Sequence, residues 1–212
     1  MISRTMAVAG MVSMLATASA SGAGQDTSGA ISDDARALIA RTRETQAAYS
    51  IIASVTLYKP DGSIVGEWSA EFHDRNQHRV ETPRDRIVAD CAEMTGTYLD
   101  LATMKASQNA AIARAACGVQ ANSKILSAKV AGPRQNRFGR VDHLVVVDEE
   151  NVRTYDIASD GAILGATITG RDGQKRLMMR ATYYVAKAPS DIFLPSSLGR
   201  SAVPANLRRS SN

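Results

Sequence analysis

The sequence predicts an α+β domain built on a strongly curved antiparallel sheet, an incomplete barrel with two or more helices covering its concave face. Three observations carry this expectation. Apolar residues alternate with period two over most of residues 51–185, Asp-Gly pairs punctuate the alternation, and only two stretches change to the helical period. The pattern gives nine or ten strands, which is more than a flat sheet keeps uncurled, and the two helices are the available cover for the hollow.

The N-terminal residues 1–20, MISRTMAVAGMVSMLATASA, carry Arg4, an apolar core and the small-residue end Ala18-Ser19-Ala20, and read as a secretory signal peptide. That core of about ten residues is half the ~20 needed to span a bilayer, and no later stretch is longer. The first cysteine is Cys91, so no acylated cysteine stands at the cleavage site. A periplasmic chain without a transmembrane segment is expected. Losing Arg4 lowers the formal charge from +4 to +3, too mild for a nucleic-acid partner without a basic stripe. Residues 21–31 are small and polar and read as a flexible leader. Residues 32–199 suit one domain, expected to be monomeric, and residues 200–212, with Arg200, Arg208 and Arg209, read as a disordered tail.

Ser32 followed by Asp33 and Asp34 is an N-cap with acidic residues in the first turn, and Ala35, Leu38, Ile39 and Thr42 recur at helical spacing, so a helix is expected over 33–48. Ile51, Ala53, Val55 and Leu57 then alternate, Pro60-Asp61-Gly62 turns the chain, and Ile64 to Phe72 alternate again as a hairpin. Strands follow over 78–81, 86–93 and 96–101. Residues 104–117, MKASQNAAIARAAC, are good helix formers, and Gly118 stands where a left-handed cap belongs. Alternation resumes over 124–130, 140–148, 152–158, 162–169 and 175–185.

This order of parts resembles the LolA-like periplasmic outer-membrane lipoprotein carriers. VTLYKPDGSIVGEWSAEFHDR is similar to the family's first hairpin, HRVETPRDRIVADCAEMTGTYLDL to its next three strands, and DGAILGATITGRDGQKRLMMRATYYVAKAPSDIFLPSSLG to its closing strands. The chain departs from the family in Ala92-Glu93-Met94-Thr95, in its 5% aromatic content and in its two cysteines. The resemblance implies a non-enzymatic carrier that holds lipoprotein acyl chains or another lipid in an apolar cavity. Its partners would be inner- and outer-membrane transfer proteins. The alternative is a protein-binding or envelope-sensing module of the same fold that carries no lipid. Cavity lining is expected from Ile51, Val55, Leu57, Trp68, Phe72, Ile87, Val145, Leu164, Ile168, Leu177 and Met179. In the family a basic residue braces the lid, and Arg75 is the nearest match here.

Two cysteines in an exported chain favour a disulfide between Cys91 and Cys117, against two buried thiols or one reactive thiol. A catalytic cysteine needs an activating partner, and no histidine stands near either one in sequence. His73 and His78 in HDRNQH lack helical ligand spacing and a third ligand, so no metal site is expected, and His143 between Val141 and Val145 reads as a core histidine. Asp148-Glu149-Glu150 lacks calcium-loop spacing and reads as a solvated hairpin tip. With no phosphate-binding glycine motif, no cofactor is expected.

Overall fold

The computed structural model describes residues 31–119 and 124–208, so the signal peptide and most of the leader lie outside the described residues. Helix α1 (Asp33–Glu44) starts where expected, with the Ser32 hydroxyl accepting from the Ala35 amide at 3.3 Å. It ends before residue 48 because Thr45 is already extended and Ala48 opens the first strand. The strands are β1 (Ala48–Tyr58), β2 (Ile64–Asp74), β3 (Gln77–Glu81), β4 (Asp85–Asp90), β5 (Thr95–Asp100) and β6 (Ala106–Gln108). After helix α2 (Ala110–Ala116) come β7 (Ile125–Asn136), β8 (Gly139–Asp148), β9 (Asn151–Ile157), β10 (Ile163–Gly170) and β11 (Lys175–Val185). Two short 3-10 turns follow, Ser190–Ile192 and Pro195–Gly199.

All eleven strands join one antiparallel sheet in the order β6-β5-β4-β3-β2-β1-β11-β10-β9-β8-β7. The first and last strands meet at its centre, joining two meanders. The sheet is not strongly curled, which corrects the expected incomplete barrel: β6 and β7 are edges at opposite ends, and the ladders carry register shifts such as Ile52/Ala53 and Ile163/Gly165. Strand count alone argues for a hollow. The sheet is instead covered in separate patches on both faces, so it need not wrap around a single core.

Paired residues of an antiparallel ladder share a face, so the register assigns every side chain. On one face α1 lays Ala35 and Leu38 over Leu144, Val146, Tyr155 and Ile157, and α2 lays Ala113 and Ala116 over Ile87, Ala89 and Tyr98. On the other face Ile192, Phe193 and Val203 cover Ile52, Ala70 and Phe72, and Leu198 covers Val88 and Leu99.

Two further expectations are corrected. The second helix is shorter than 104–117, because Ala106–Gln108 pair with β5 as an edge strand and the Asn109 side chain then caps α2 by accepting from the Ile112 amide at 3.1 Å. Residues 200–208 are not a disordered tail: Val203 is 1% exposed, and Ser201 and Ala202 donate to the buried Glu81 carboxylate at 2.6 and 2.7 Å.

Candidate functional site

Helices α1 and α2 flank the sheet on the same face and leave β2, β1, β11 and β10 between them. Their C-terminal ends meet. Gly118, left-handed at φ +70°, lies against Thr42 of α1, whose hydroxyl accepts from the Val119 amide at 3.0 Å and donates to the Ile39 carbonyl at 2.8 Å. Helix α2 is seated on Gly96, where a Cβ would come within 2.7 Å of the Ala113 nitrogen. Cys91 and Cys117 are bonded, with Cα atoms 5.7 Å apart, and tie the end of α2 to the residue after β4.

Across the uncovered centre, Val55 pairs with Met179 and Met179 with Ala166, while Leu57 pairs with Leu177 and Leu177 with Ile168. These side chains form an apolar strip on the helix-side face, all half-buried. Deeper between the helices, Ile51, Ala53, Leu164 and Ala181 are closed off as core. Along β2 the strip is bordered by Glu67, Ser69 and Glu71, the partners of Val55, Ala53 and Ile51.

The structure therefore brings together on one face Ile51, Val55, Leu57, Ile87, Leu164, Ile168, Leu177 and Met179 from the expected lining. Ile51 and Leu164 are packing residues and Ile87 lies under α2, which leaves the other five accessible. Trp68, Phe72 and Val145 lie on the opposite face, since their partners are Ser54, Ser50 and Thr154. Trp68 and Phe72 pack beneath the C-terminal segment. The signal for this is in the turn: the connection between β1 and β2 has five residues, which sets odd positions of β1 against odd positions of β2 and sends their apolar stripes to opposite faces.

Arg75 sits in the β2–β3 turn at φ +57°, its side chain 72% exposed and 3.4 Å from Asp74, and it touches neither helix. The bracing arginine is Arg79, which no feature of the family resemblance singles out. Arg79 pairs with Glu81 at 2.7 Å with both side chains buried, and donates to the carbonyls of Ile192 and Arg200 and to the Ser197 hydroxyl at 2.6 to 2.7 Å. It clamps the C-terminal segment, not a lid. Opposite charges two residues apart around an apolar Val80 are the available clue.

The titratable groups of the helix-side face collect where α1 ends. His73 donates from Nε2 to the Thr45 carbonyl at 3.1 Å, which leaves its Nδ1 to accept from His78 Nδ1–H at 3.2 Å, and Tyr49 stacks on the His73 ring. Burial lowers both histidines, His78 to about 3 with help from its His73 neighbour. Burial pushes the Glu71 carboxyl up to about 7, although part of the residue still reaches solvent. His143, as expected, is a satisfied histidine: its Nδ1 lies 2.7 Å from Asp156. Asp148 is buried at the β8–β9 turn, where it accepts from Glu150, Asn151 and Arg153, so this tip is not wholly solvated.

No protein-family model matches the chain, and no curated protein matches it. Solved structures are similar to it at low sequence identity. An uncharacterized conserved protein from Thermus thermophilus superposes with a TM-score of 0.52 at 10% identity, over 82% of this chain and 95% of that one. A LolA superfamily protein from Nitrosomonas europaea gives 0.38 at 10% identity, over 77% of this chain and 99% of that one. A chain of a Pseudomonas aeruginosa MucA/MucB complex gives 0.38 at 11%, over 74% of this chain and 58% of that one.

Proposed function

We propose that the chain is a non-enzymatic binding protein of the cell envelope that holds an acyl chain of a lipoprotein, or of another lipid, on the strip between its helices for transfer toward the outer membrane. The observation that carries this reading is the strip itself. Val55, Leu57, Ile168, Leu177 and Met179 converge on one face and stay half-buried while the flanking patches are covered by α1 and α2. Each acyl methylene buried there is worth roughly 0.8 kcal/mol, so a lipid needs no polar recognition to be held. The export pattern of residues 1–20 and the bonded cysteine pair support an oxidising envelope compartment. Membrane proteins that hand over and receive the lipid are the partners this role requires.

One observation favours a second reading. The strip is half-exposed rather than enclosed, so it also suits the apolar side chains of a protein partner, as in an envelope-sensing module. Native mass spectrometry of the protein purified from a lipid-containing lysate separates the two. Acyl mass on the wild type and its loss in Leu177→Glu supports the carrier. A captured protein, lost in the same variant and without acyl mass, supports the module. Unchanged acyl binding by folded Leu177→Glu refutes the strip as the site.

A further inference from the structure

The face opposite the helices is covered by the C-terminal segment over β1 to β5 only, and at the other end of the sheet it holds a cavity of about 400 Å³. Register builds its floor. His143, Asp156, Gly165 and Arg180 follow one another across β8, β9, β10 and β11, and Thr154, Thr167 and Met178 form the next row. At Gly165 the row has no side chain, and the Asp156 carboxylate leans over it: a Cβ there would come within 3.1 Å of Asp156 Oδ2. The β7–β8 hairpin end supplies a wall with Arg134, and Arg137 is held with its guanidinium 4.6 Å from the Phe138 ring centroid.

Three exposed arginines thus line one cavity, and among the described residues neither Arg134 nor Arg180 makes a hydrogen bond or an ion pair through its side chain. The single carboxylate in the lining, Asp156, is already engaged by His143. Like charges gathered around one cavity favour an anion, and guanidinium forks match phosphate oxygens two at a time. A phosphate monoester carries about −1.5 to −2 charges near neutral pH, which suits three arginines and one carboxylate. A cavity within the range of roughly 300 to 1,000 Å³ typical of ligand sites has room for more than the phosphate alone.

We propose that this cavity binds a phosphomonoester, with Arg134, Arg137 and Arg180 on its oxygens and Gly165 leaving room in the floor beside them. The floor row of the site lies on the face opposite the strip, while Ala166 and Met179 of the strip strands also border the cavity. The phosphate belongs either to a soluble compound or to a membrane lipid head group, and the test has an arm for each. The full mature chain is titrated with inorganic phosphate by calorimetry, and floated with vesicles of phosphatidylcholine with and without phosphatidic acid. Saturable binding of phosphate assigns a soluble ligand, and flotation only with phosphatidic acid assigns a head group. In either arm Arg180→Ala and Arg134→Ala weaken binding at least tenfold, Gly165→Val blocks it, and Arg176→Ala, an exposed arginine outside the cavity, leaves it within twofold. No binding in either arm overturns the proposal. So does an equal loss in Arg176→Ala, which would mark net charge as the cause, or undiminished binding by folded Gly165→Val.

Discussion

Arg79 and Glu81 are two residues apart on β3, fully enclosed, and hold the chain from Ile192 to Ala202 against the sheet. A buried ion pair is a weak source of net stability, yet removing one partner strands the other. Arg79→Met is expected to destabilise by ~3 kcal/mol, read as a lower urea midpoint, and to open residues 190–200 to proteolysis. The double variant Arg79→Met, Glu81→Met should be more stable than Arg79→Met alone. Equal losses would show that the arginine's contacts to Ile192 and Arg200, and not the ion pair, dominate.

The same scale sets the pH response. His78 titrates near 6.5 when unfolded and at about 3 when folded, so the unfolded chain binds the extra proton in that window and stability falls as pH drops from about 6.5 toward 3. Glu71 acts in the opposite sense. Its folded value is raised to about 7, so the penalty of ionising it grows as pH rises from about 4.5 through 7. Glu71→Gln is expected to be more stable than the wild type at pH 8 and equal to it near pH 4.5, measured by thermal melts across that range.

Between elements, the disulfide and Gly96 fix α2. Closing the loop from Cys91 to Cys117 is worth ~3 to 4 kcal/mol in the chain-entropy account, so reduction or Cys117→Ser should lower the urea midpoint by that order. Gly96→Ala places a methyl against the Ala113 backbone and Ile112, and is expected to displace α2, with ~1 to 3 kcal/mol lost. The elements themselves are largely legible in the sequence. Ser32, Pro60-Asp61-Gly62 and Gly118 mark boundaries by local chemistry, and the structure keeps each. Residues 106–108 read as helix because their composition suits one, and only pairing with β5, a tertiary event, makes them a strand. The C-terminal segment reads as disordered for a similar reason: nothing local announces that Val203 will be buried by a surface made from β1 and β2.

At the scale of the whole molecule, period and turns reveal a sheet of many antiparallel strands but not how its two faces are used. Each strand's alternation is visible in the sequence, while the assignment of stripes to faces depends on loop parity and on what covers them. Trp68 and Phe72 therefore fall on the far side. The cavity lined by Arg134, Arg137 and Arg180 is invisible in the sequence for the same reason, since only the register aligns residues so far apart along the chain. The proposed function places apolar ligands on the helix-side face between α1 and α2. Titration with a fluorescent long-chain fatty acid tests it most directly, comparing Leu57→Glu on the strip with Tyr183→Glu on the opposite face. At least tenfold weaker binding is expected for Leu57→Glu, with an unchanged affinity for Tyr183→Glu. Full binding by folded Leu57→Glu, or its loss in Tyr183→Glu alone, would contradict it.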